Sequence, residues 1–245
     1  MTLVGKRALV TGASRGIGAA IAKALAAAGA DIAITYEKSA DRAAEVTRAI
    51  EALGRRAIAI KANSADVAAI EASVAQTVAT LGGLDILVNN AGILRYNELT
   101  QLSLEDIDAL LNVNVRAPVI ASRAAIPHLS KGGRIINIGS YFADRVPAPG
   151  LHVYAMSKSA LTAFTKGLAR ELGPREITVN TVQPGSIDTD MNPSDGPVSG
   201  ALRQFIALGR YGAGEDIGNA IAFLASPKAQ YITGTTLTID GGANA

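Results

Sequence analysis

Short β-branched or apolar runs alternate along the chain with longer segments whose apolar residues recur at helical spacing. This is the pattern of a parallel sheet wrapped by helices. Strands are predicted over residues 7–11, 31–35, 56–60, 86–89, 134–138, 178–183 and 236–240. Their continuous apolar character, as in Ile-Ile-Asn-Ile at 135–138, suits strands covered on both faces. Between them, Ile17, Ile21, Ala24, Leu25 and Ala28 mark one stripe of a first helix, and residues 41–53 and 66–81 give a second and a third. Ser103-Leu-Glu-Asp reads as an N-terminal cap opening a long helix through Leu111 towards Ser130. Further helices are predicted over 153–172, stopped by Gly173-Pro174, and over 216–225, stopped by Ser226-Pro227.

Two regions break the alternation. Residues 141–152 carry Pro147, Pro149 and Gly150 and read as a loop after the fifth strand. Residues 187–200 carry Pro193, Pro197 and two glycines, too long and punctuated for an ordinary connector. Loops of that length are often lids over a site, here placed at about 187–205. With no internal repeat, linker or low-complexity tail, the expectation is one domain over residues 1–245. Right-handed crossovers then give an α/β fold, a doubly wound seven-stranded parallel sheet with helices on both faces.

Composition narrows the chemistry. The chain has 245 residues, 49% of them hydrophobic, and contains no Cys. Disulfides, thiolate metal sites and cysteine nucleophiles are thereby excluded, and no metal site is expected. A net charge of +2 from scattered residues argues against a nucleic-acid polymer as partner. The start, Met1-Thr-Leu-Val-Gly-Lys-Arg, has no apolar stretch of signal-peptide length behind it. No apolar run approaches the roughly 20 residues that span a bilayer. The expectation is a cytoplasmic protein without a membrane partner.

Val10-Thr-Gly-Ala-Ser-Arg-Gly-Ile-Gly18 lies between the first strand and the first helix. Gly12, Gly16 and Gly18 let the backbone turn sharply, approach a pyrophosphate and pack the helix on the strand, as in a Rossmann dinucleotide site. The helix N-terminus offers N–H groups and a positive dipole end to that anion.

The spacing Gly-x-x-x-Gly-x-Gly resembles the short-chain dehydrogenase/reductase family, and further motifs follow in order along essentially the whole chain. Asn89-Asn-Ala-Gly92 is similar to the family segment bordering the adenosine, which places Asn90, Ala91 and Gly92 at the cofactor. Asn114 matches the family's helix asparagine, Ser140 its catalytic serine, and Tyr154 and Lys158 its Tyr-x-x-x-Lys pair. Pro184-Gly-Ser-Ile-Asp-Thr189 resembles the segment that holds the nicotinamide amide, which implicates Pro184, Gly185, Ile187 and Thr189. Ser14 and Ile17 lie in the glycine turn itself. Two departures stand out. The stretch from Ser140 to Tyr154 is one residue longer than in many members. Asn63-Ser64 stands where the family usually has an Asp and an apolar residue facing the adenine, so Asn63 would bond there without charge.

Tyr154 and Lys158, four apart on a predicted helix, point from one face. A free tyrosine titrates near 10, and a neighbouring ammonium favours its phenolate. The resemblance implies that Tyr154 protonates a carbonyl oxygen as hydride arrives from the nicotinamide. It also implies that Lys158 bonds the nicotinamide ribose, Ser140 donates to the developing alkoxide, and Asn114 holds a relay water.

An acidic residue at the end of the second strand would bond the adenosine ribose and repel a 2′-phosphate. Here that position is Tyr36, followed by Glu37, Lys38 and Ser39. Lys38 and Ser39 can contact a phosphate, and Arg15 can reach the same place, so NADP(H) is the expected cofactor. Tyr96, Tyr141, Phe142, His152 and Met191 are substrate-pocket candidates, with His152 able either to contact substrate or to cap its helix. The apolar and aromatic mixture suits a small or medium ketone or its alcohol.

The chain resembles the broad 3-oxoacyl-reductase branch of the family, so a carrier-protein thioester is an alternative substrate. Residues 182–197 with Gly139-Ser-Tyr-Phe-Ala-Asp-Arg also resemble a cyclic-di-GMP-binding biofilm-dispersal subgroup, whose rival function is nucleotide sequestration. The intact Ser140–Tyr154–Lys158 set favours the enzyme. By resemblance, self-association as a homotetramer is expected.

Overall fold

The computed structural model describes residues 2–245. Seven strands form one sheet: β1 (Arg7–Val10), β2 (Asp31–Tyr36), β3 (Ala57–Lys61), β4 (Ile86–Asn89), β5 (Arg134–Ile138), β6 (Thr178–Pro184) and β7 (Thr236–Ile239). All pairings are parallel, in the order β3-β2-β1-β4-β5-β6-β7. The direction of winding reverses between β1 and β4, the place where doubly wound sheets open a crevice at their strand C-termini. Each observed strand lies within one residue of its sequence expectation.

The apolar runs resolve into two interleaved alternations. Ala8, Val10, Ile32, Ile34, Ile86, Val88, Ile136 and Ile138 point to one face, where they meet α1 (Gly16–Ala27), α2 (Ala40–Glu51) and α8 (Gly214–Ala225). Leu9, Ala33, Leu87, Ile135 and Val179 point to the other, beneath α3 (Val67–Leu81), α5 (Ala117–Ala125) and α6 (His152–Leu172). Period-2 alternation with both faces covered leaves no polar side to the central strands.

Local signals set several helix ends. Asp66 caps α3 by accepting from the N–H groups of Ala68 and Ala69, and Gly82 ends it in the left-handed conformation. Ser103 caps α4 (Leu104–Leu111) by accepting from Asp106 N–H. The long helix expected from Ser103 towards Ser130 is interrupted: α4 passes through a π turn (Asn112–Arg116) into α5, then a 3₁₀ turn (Ile126–His128). The lid region likewise contains a short helix, α7 (Ser199–Gln204), that composition did not reveal.

A buried polar seam fixes α6, which carries two of the candidate catalytic side chains. Asn89, Asn137 and Thr181 stand side by side on β4, β5 and β6. Asn89 Nδ2 donates to Asn137 Oδ1 (2.8 Å), Asn137 Nδ2 to Thr165 Oγ1 (2.8 Å), and Thr165 shares a hydrogen bond with Thr181 (2.7 Å). Buried hydrogen-bonded networks of this kind set register where apolar packing would tolerate sliding, although Asn89 Oδ1 is left without a partner among the described residues. No helix of the described residues is long and apolar enough to cross a membrane.

Candidate active site

The glycine turn is braced from two sides. Gly12 N–H donates to Thr35 Oγ1 (2.9 Å) and Ala13 N–H to Thr35 O (2.9 Å). Thr11 Oγ1 accepts from the N–H groups of Asn90 and Ala91, both at 3.0 Å, and Asn90 Nδ2 donates to the carbonyls of Thr11 (2.8 Å) and Gly12 (3.1 Å). The Asn90 side chain, expected at the cofactor, is therefore spent on holding the turn. Thr11 and Thr35, which no motif singled out, share that duty. Gly12 has φ +63° and a Cβ there would lie 2.9 Å from Ala91 Cα; at Gly18 it would lie 2.5 Å from Asn90 Nδ2. Glycine is required at both because the turn is pressed against the end of β4.

The turn fits a dinucleotide pyrophosphate. Its N-cap, Arg15, makes no side-chain cap bond, and no acidic residue stands in the first turn of α1. The helix thus presents its positive end without an anion of its own, beside Ser14, Gly16 and Ile17. Ser64, just after exposed Asn63, lines a small cavity with Thr11, Ala62 and Ala91. Asn63 Oδ1 accepts from Ala65 N–H (2.8 Å) and so shapes its own turn.

At the C-terminal edge of β5, Ser140 Oγ accepts from Phe142 N–H (3.2 Å) and the residue is buried. On α6, half-buried Tyr154 is hydrogen-bonded to it, and buried Lys158 follows one turn later. Lys158 Nζ donates to Ile138 O (3.0 Å). A Cβ placed on Gly92 would be 3.1 Å from Lys158 Nζ and 3.4 Å from Asn114 Oδ1, so these three residues converge. Asn114 occupies the π turn; its Oδ1 accepts from Ile93 N–H (2.9 Å), and its Nδ2 donates to Ile93 O (2.9 Å) and Ser157 Oγ (3.0 Å). The extra residue of a π turn re-aims a side chain that a regular helix would place elsewhere.

The electrostatics differ from the sequence expectation that an ammonium lowers the tyrosine. Desolvation raises Tyr154 above the ordinary phenol value, with hydrogen bonding to Ser140 opposing it and Tyr141 adding to it. Burial lowers Lys158 to about 8. Burial thus destabilises the lysine as a cation, while at pH 7 it still carries its proton.

Among the substrate candidates, Tyr141 and Phe142 stack at 4.2 Å between ring centroids, and Phe142 meets Tyr154 edge-on at 6.3 Å. Tyr141 Oη lies 3.4 Å from Ser186 Oγ. Tyr96 is exposed and borders Gly150, and Met191 is exposed on the lid. His152 Nδ1 accepts from Val153 N–H (2.9 Å), which serves the first turn of α6. Residues 243 and 244 anchor the aromatic loop: Asn244 Nδ2 donates to Tyr141 O (2.8 Å) and Arg145 Nη1 to Ala243 O (3.0 Å).

Pro184 ends β6, and a Cβ on Gly185 would strike Asp240 Cα at 2.5 Å, so this junction is as tight as the glycine turn. Ile187 is buried and pairs with Gly212, and Thr189 comes to the glycine turn, its Cγ2 3.5 Å from a Cβ built on Gly16. Next to it, Asp190 accepts from Arg15 Nη1 (3.2 Å) and from Arg42 Nη1. Tyr36 packs against the core, while Lys38 extends into solvent with Nζ 3.9 Å from Glu37 Oε1, and Ser39 precedes α2 without a side-chain cap bond. Arg42, rather than Lys38, is the cation that joins Arg15. The signal for it was an arginine in the first turn of a helix, where the dipole disfavours a cation.

A parallel sheet with its switch point between β1 and β4, an anion-receptive glycine turn there, and a Ser–Tyr–Lys group on the same edge define a nucleotide-dependent α/β oxidoreductase. The comparisons with known proteins agree: a family model described as enoyl-(acyl carrier protein) reductase matches residues 12–244, and the chain belongs to the short-chain dehydrogenase/reductase family. It is 61% identical to a short-chain dehydrogenase from Burkholderia cenocepacia J2315, solved in complex with NADP, with all of both chains covered and a TM-score of 0.99. It is 44% identical to the cyclic-di-GMP-binding biofilm dispersal mediator protein of Escherichia coli K12, over 98% of each chain. It is 42% identical to a 3-oxoacyl-[acyl-carrier-protein] reductase of Staphylococcus aureus, over 97% of each.

Proposed function

We propose that the protein is an NADP(H)-dependent carbonyl reductase, interconverting a small or medium ketone and its alcohol. The observation that carries this reading is the convergence of Ser140, Tyr154 and Lys158 beside a glycine turn that offers a free helix N-terminus to a dinucleotide. Ser14, Gly16 and Ile17 would hold the pyrophosphate, Lys158 the nicotinamide ribose, and Ile187 and Thr189 the amide end. When bound, NADPH supplies the hydride.

The chain's own groups then handle the proton. Tyr154, raised by burial, is a neutral phenol at pH 7, the form that can donate to a carbonyl oxygen. Ser140 lies where its hydroxyl can donate a hydrogen bond to the same oxygen and stabilise negative charge as it develops. The phenolate left after transfer is next to Lys158, whose pKa of about 8 allows it to return a proton near neutral pH. Asn114 Oδ1, near Lys158 at Gly92, keeps a second lone pair after bonding Ile93. The Tyr141–Phe142 stack against Tyr154 gives the ketone an apolar wall.

The test follows NADPH absorbance with cyclic, aromatic and 3-oxoacyl thioester ketones, with Tyr154→Phe alongside. Ketone-dependent oxidation should fall by about 10²–10⁴-fold in the variant. Unchanged turnover in Tyr154→Phe would refute the assignment. The similarity to a cyclic-di-GMP-binding protein favours one second reading, sequestration of that nucleotide. Tight binding of cyclic di-GMP with no turnover of any ketone would establish it instead.

A further inference from the structure

We propose that Asn244 and Arg145 are positioning residues that hold the Tyr141–Phe142 aromatic pair beside Tyr154, and that the pair so held makes the site selective for aryl ketones. The proposal rests on the carbonyl-reductase reading above and narrows its substrate to one chemical class.

Residues 240–244 form a hook after β7. Asp240 closes it, its two carboxylate oxygens accepting from the N–H groups of Gly242 and Asn244, both at 2.9 Å. The hook is pressed on the residues that follow α7. A Cβ on Gly241 would lie 2.8 Å from Ile206 Cγ2, and one on Gly242 would lie 2.8 Å from Ala207 Cβ. From this base Asn244 Nδ2 donates to Tyr141 O (2.8 Å), and Ala243 O accepts from Arg145 Nη1 (3.0 Å). The Arg145 guanidinium also lies over the ring of Phe205 on the lid, 5.7 Å from its centroid. Ala243 is buried with Tyr141 and Ile206 in one small core, against which Phe142 packs. The aromatic turn is thus held at Tyr141 and Arg145 by the hook. On its other side Ser159 Oγ, from α6, donates to Ala143 O (2.7 Å).

Stability alone does not account for the Asn244 amide. Its Oδ1 is buried with no partner among the described residues, which costs free energy. What the amide secures is the backbone of Tyr141 and, with it, the two neighbours Ser140 and Phe142. The Phe142 ring stacks on Tyr141 at 4.2 Å and meets Tyr154 edge-on at 6.3 Å. It is only half-buried, so ring surface remains for a ligand beside the proton donor. Two aromatic rings gain about two- to tenfold in affinity beyond the area they bury, and only in offset or edge-on arrangements. That gain therefore needs a ring fixed in place. An aryl ketone collects it at Phe142, whereas an alkyl ketone of the same size does not.

The experiment measures NADPH-dependent kcat and KM for acetophenone and cyclohexyl methyl ketone, two ketones of similar size of which only the first is aromatic. The wild-type chain, Asn244→Ala, Asn244→Gln and Arg145→Gln are compared, with NADPH affinity measured by calorimetry. The wild type should prefer acetophenone in kcat/KM by about two- to tenfold. Asn244→Ala should bring that ratio close to one by raising KM for acetophenone, with kcat and NADPH affinity changing less than about twofold. Arg145→Gln should act in the same direction, and Asn244→Gln, which keeps a donor, should retain part of the preference. An equal loss with both ketones, or an equal weakening of NADPH, would show a role in the fold alone and overturn the proposal, as would a wild-type preference for the cyclohexyl ketone. Nitration of Tyr141 by tetranitromethane, located by peptide mass and scaled to the fully exposed Tyr231, reads the hook without turnover. Asn244→Ala should speed it several-fold, and an unchanged rate would overturn the positioning role. A wild-type chain inert to both ketones would overturn the aryl preference and count against the reductase reading, while nitration decides the role of the hook separately.

Discussion

Lys158→Met separates what the lysine does for chemistry from what it costs the fold. Lys158 is 4% exposed and makes a hydrogen bond to Ile138 O at 3.0 Å, and burial lowers its pKa from 10.5 to about 8. The unfolded chain keeps this amine protonated up to about pH 10.5. The folded chain releases the proton near pH 8. Between those values the unfolded state binds more protons, so wild-type stability rises with pH across that window; below pH 8 the full cost of a buried cation is present. Linkage puts that cost at about 3 kcal/mol. The variant lacks this titration but leaves the Ile138 carbonyl without its donor, a loss of about 1–2 kcal/mol. It should therefore be about 1–2 kcal/mol more stable than wild type at pH 7, and less stable by a similar amount above pH 10.5. Urea midpoints measured without cofactor at pH 7 and near 10.5 check this, while NADPH turnover should be lost. A stability difference that does not change with pH would refute the reasoning.

Two further outcomes follow from the site geometry. Asn114→Ala removes three hydrogen bonds and strands the Ile93 N–H and C=O, so it should lower stability by about 2–4 kcal/mol, read as a fall in the denaturant midpoint. Gly18→Ala would bring a methyl carbon to 2.5 Å from Asn90 Nδ2 and 2.8 Å from Ala13 Cα, displacing the Asn90 brace. NADPH affinity in that variant should fall at least about tenfold by calorimetry, together with a lower melting temperature.

Much of this protein is legible in its sequence because the signals are local. Apolar runs of strand length separated by helical stripes give all seven strands, and the Asp66 and Ser103 caps act within three residues of themselves. The turn from Gly12 to Gly18 declares itself by glycine spacing, and Tyr154 and Lys158 by sharing a helix face. Other features exist only after the chain has folded. The π turn at Asn112–Arg116 precedes Pro118, which cannot donate to the Asn114 carbonyl, but the partners that hold Asn114, Ile93 and Ser157, come from separate elements. Asn90 matched a cofactor motif, yet its amide binds the glycine turn once β1 and β4 are side by side. The pKa order of Tyr154 and Lys158 reverses the pairwise expectation because desolvation depends on everything packed around them. Arg15, Arg42 and Asp190 are far apart in the chain and meet only where α1, α2 and the lid converge. Propensity and periodicity act over a few residues, whereas burial and long-range contact, which set charge and aim side chains, are properties of the assembled sheet and its helices.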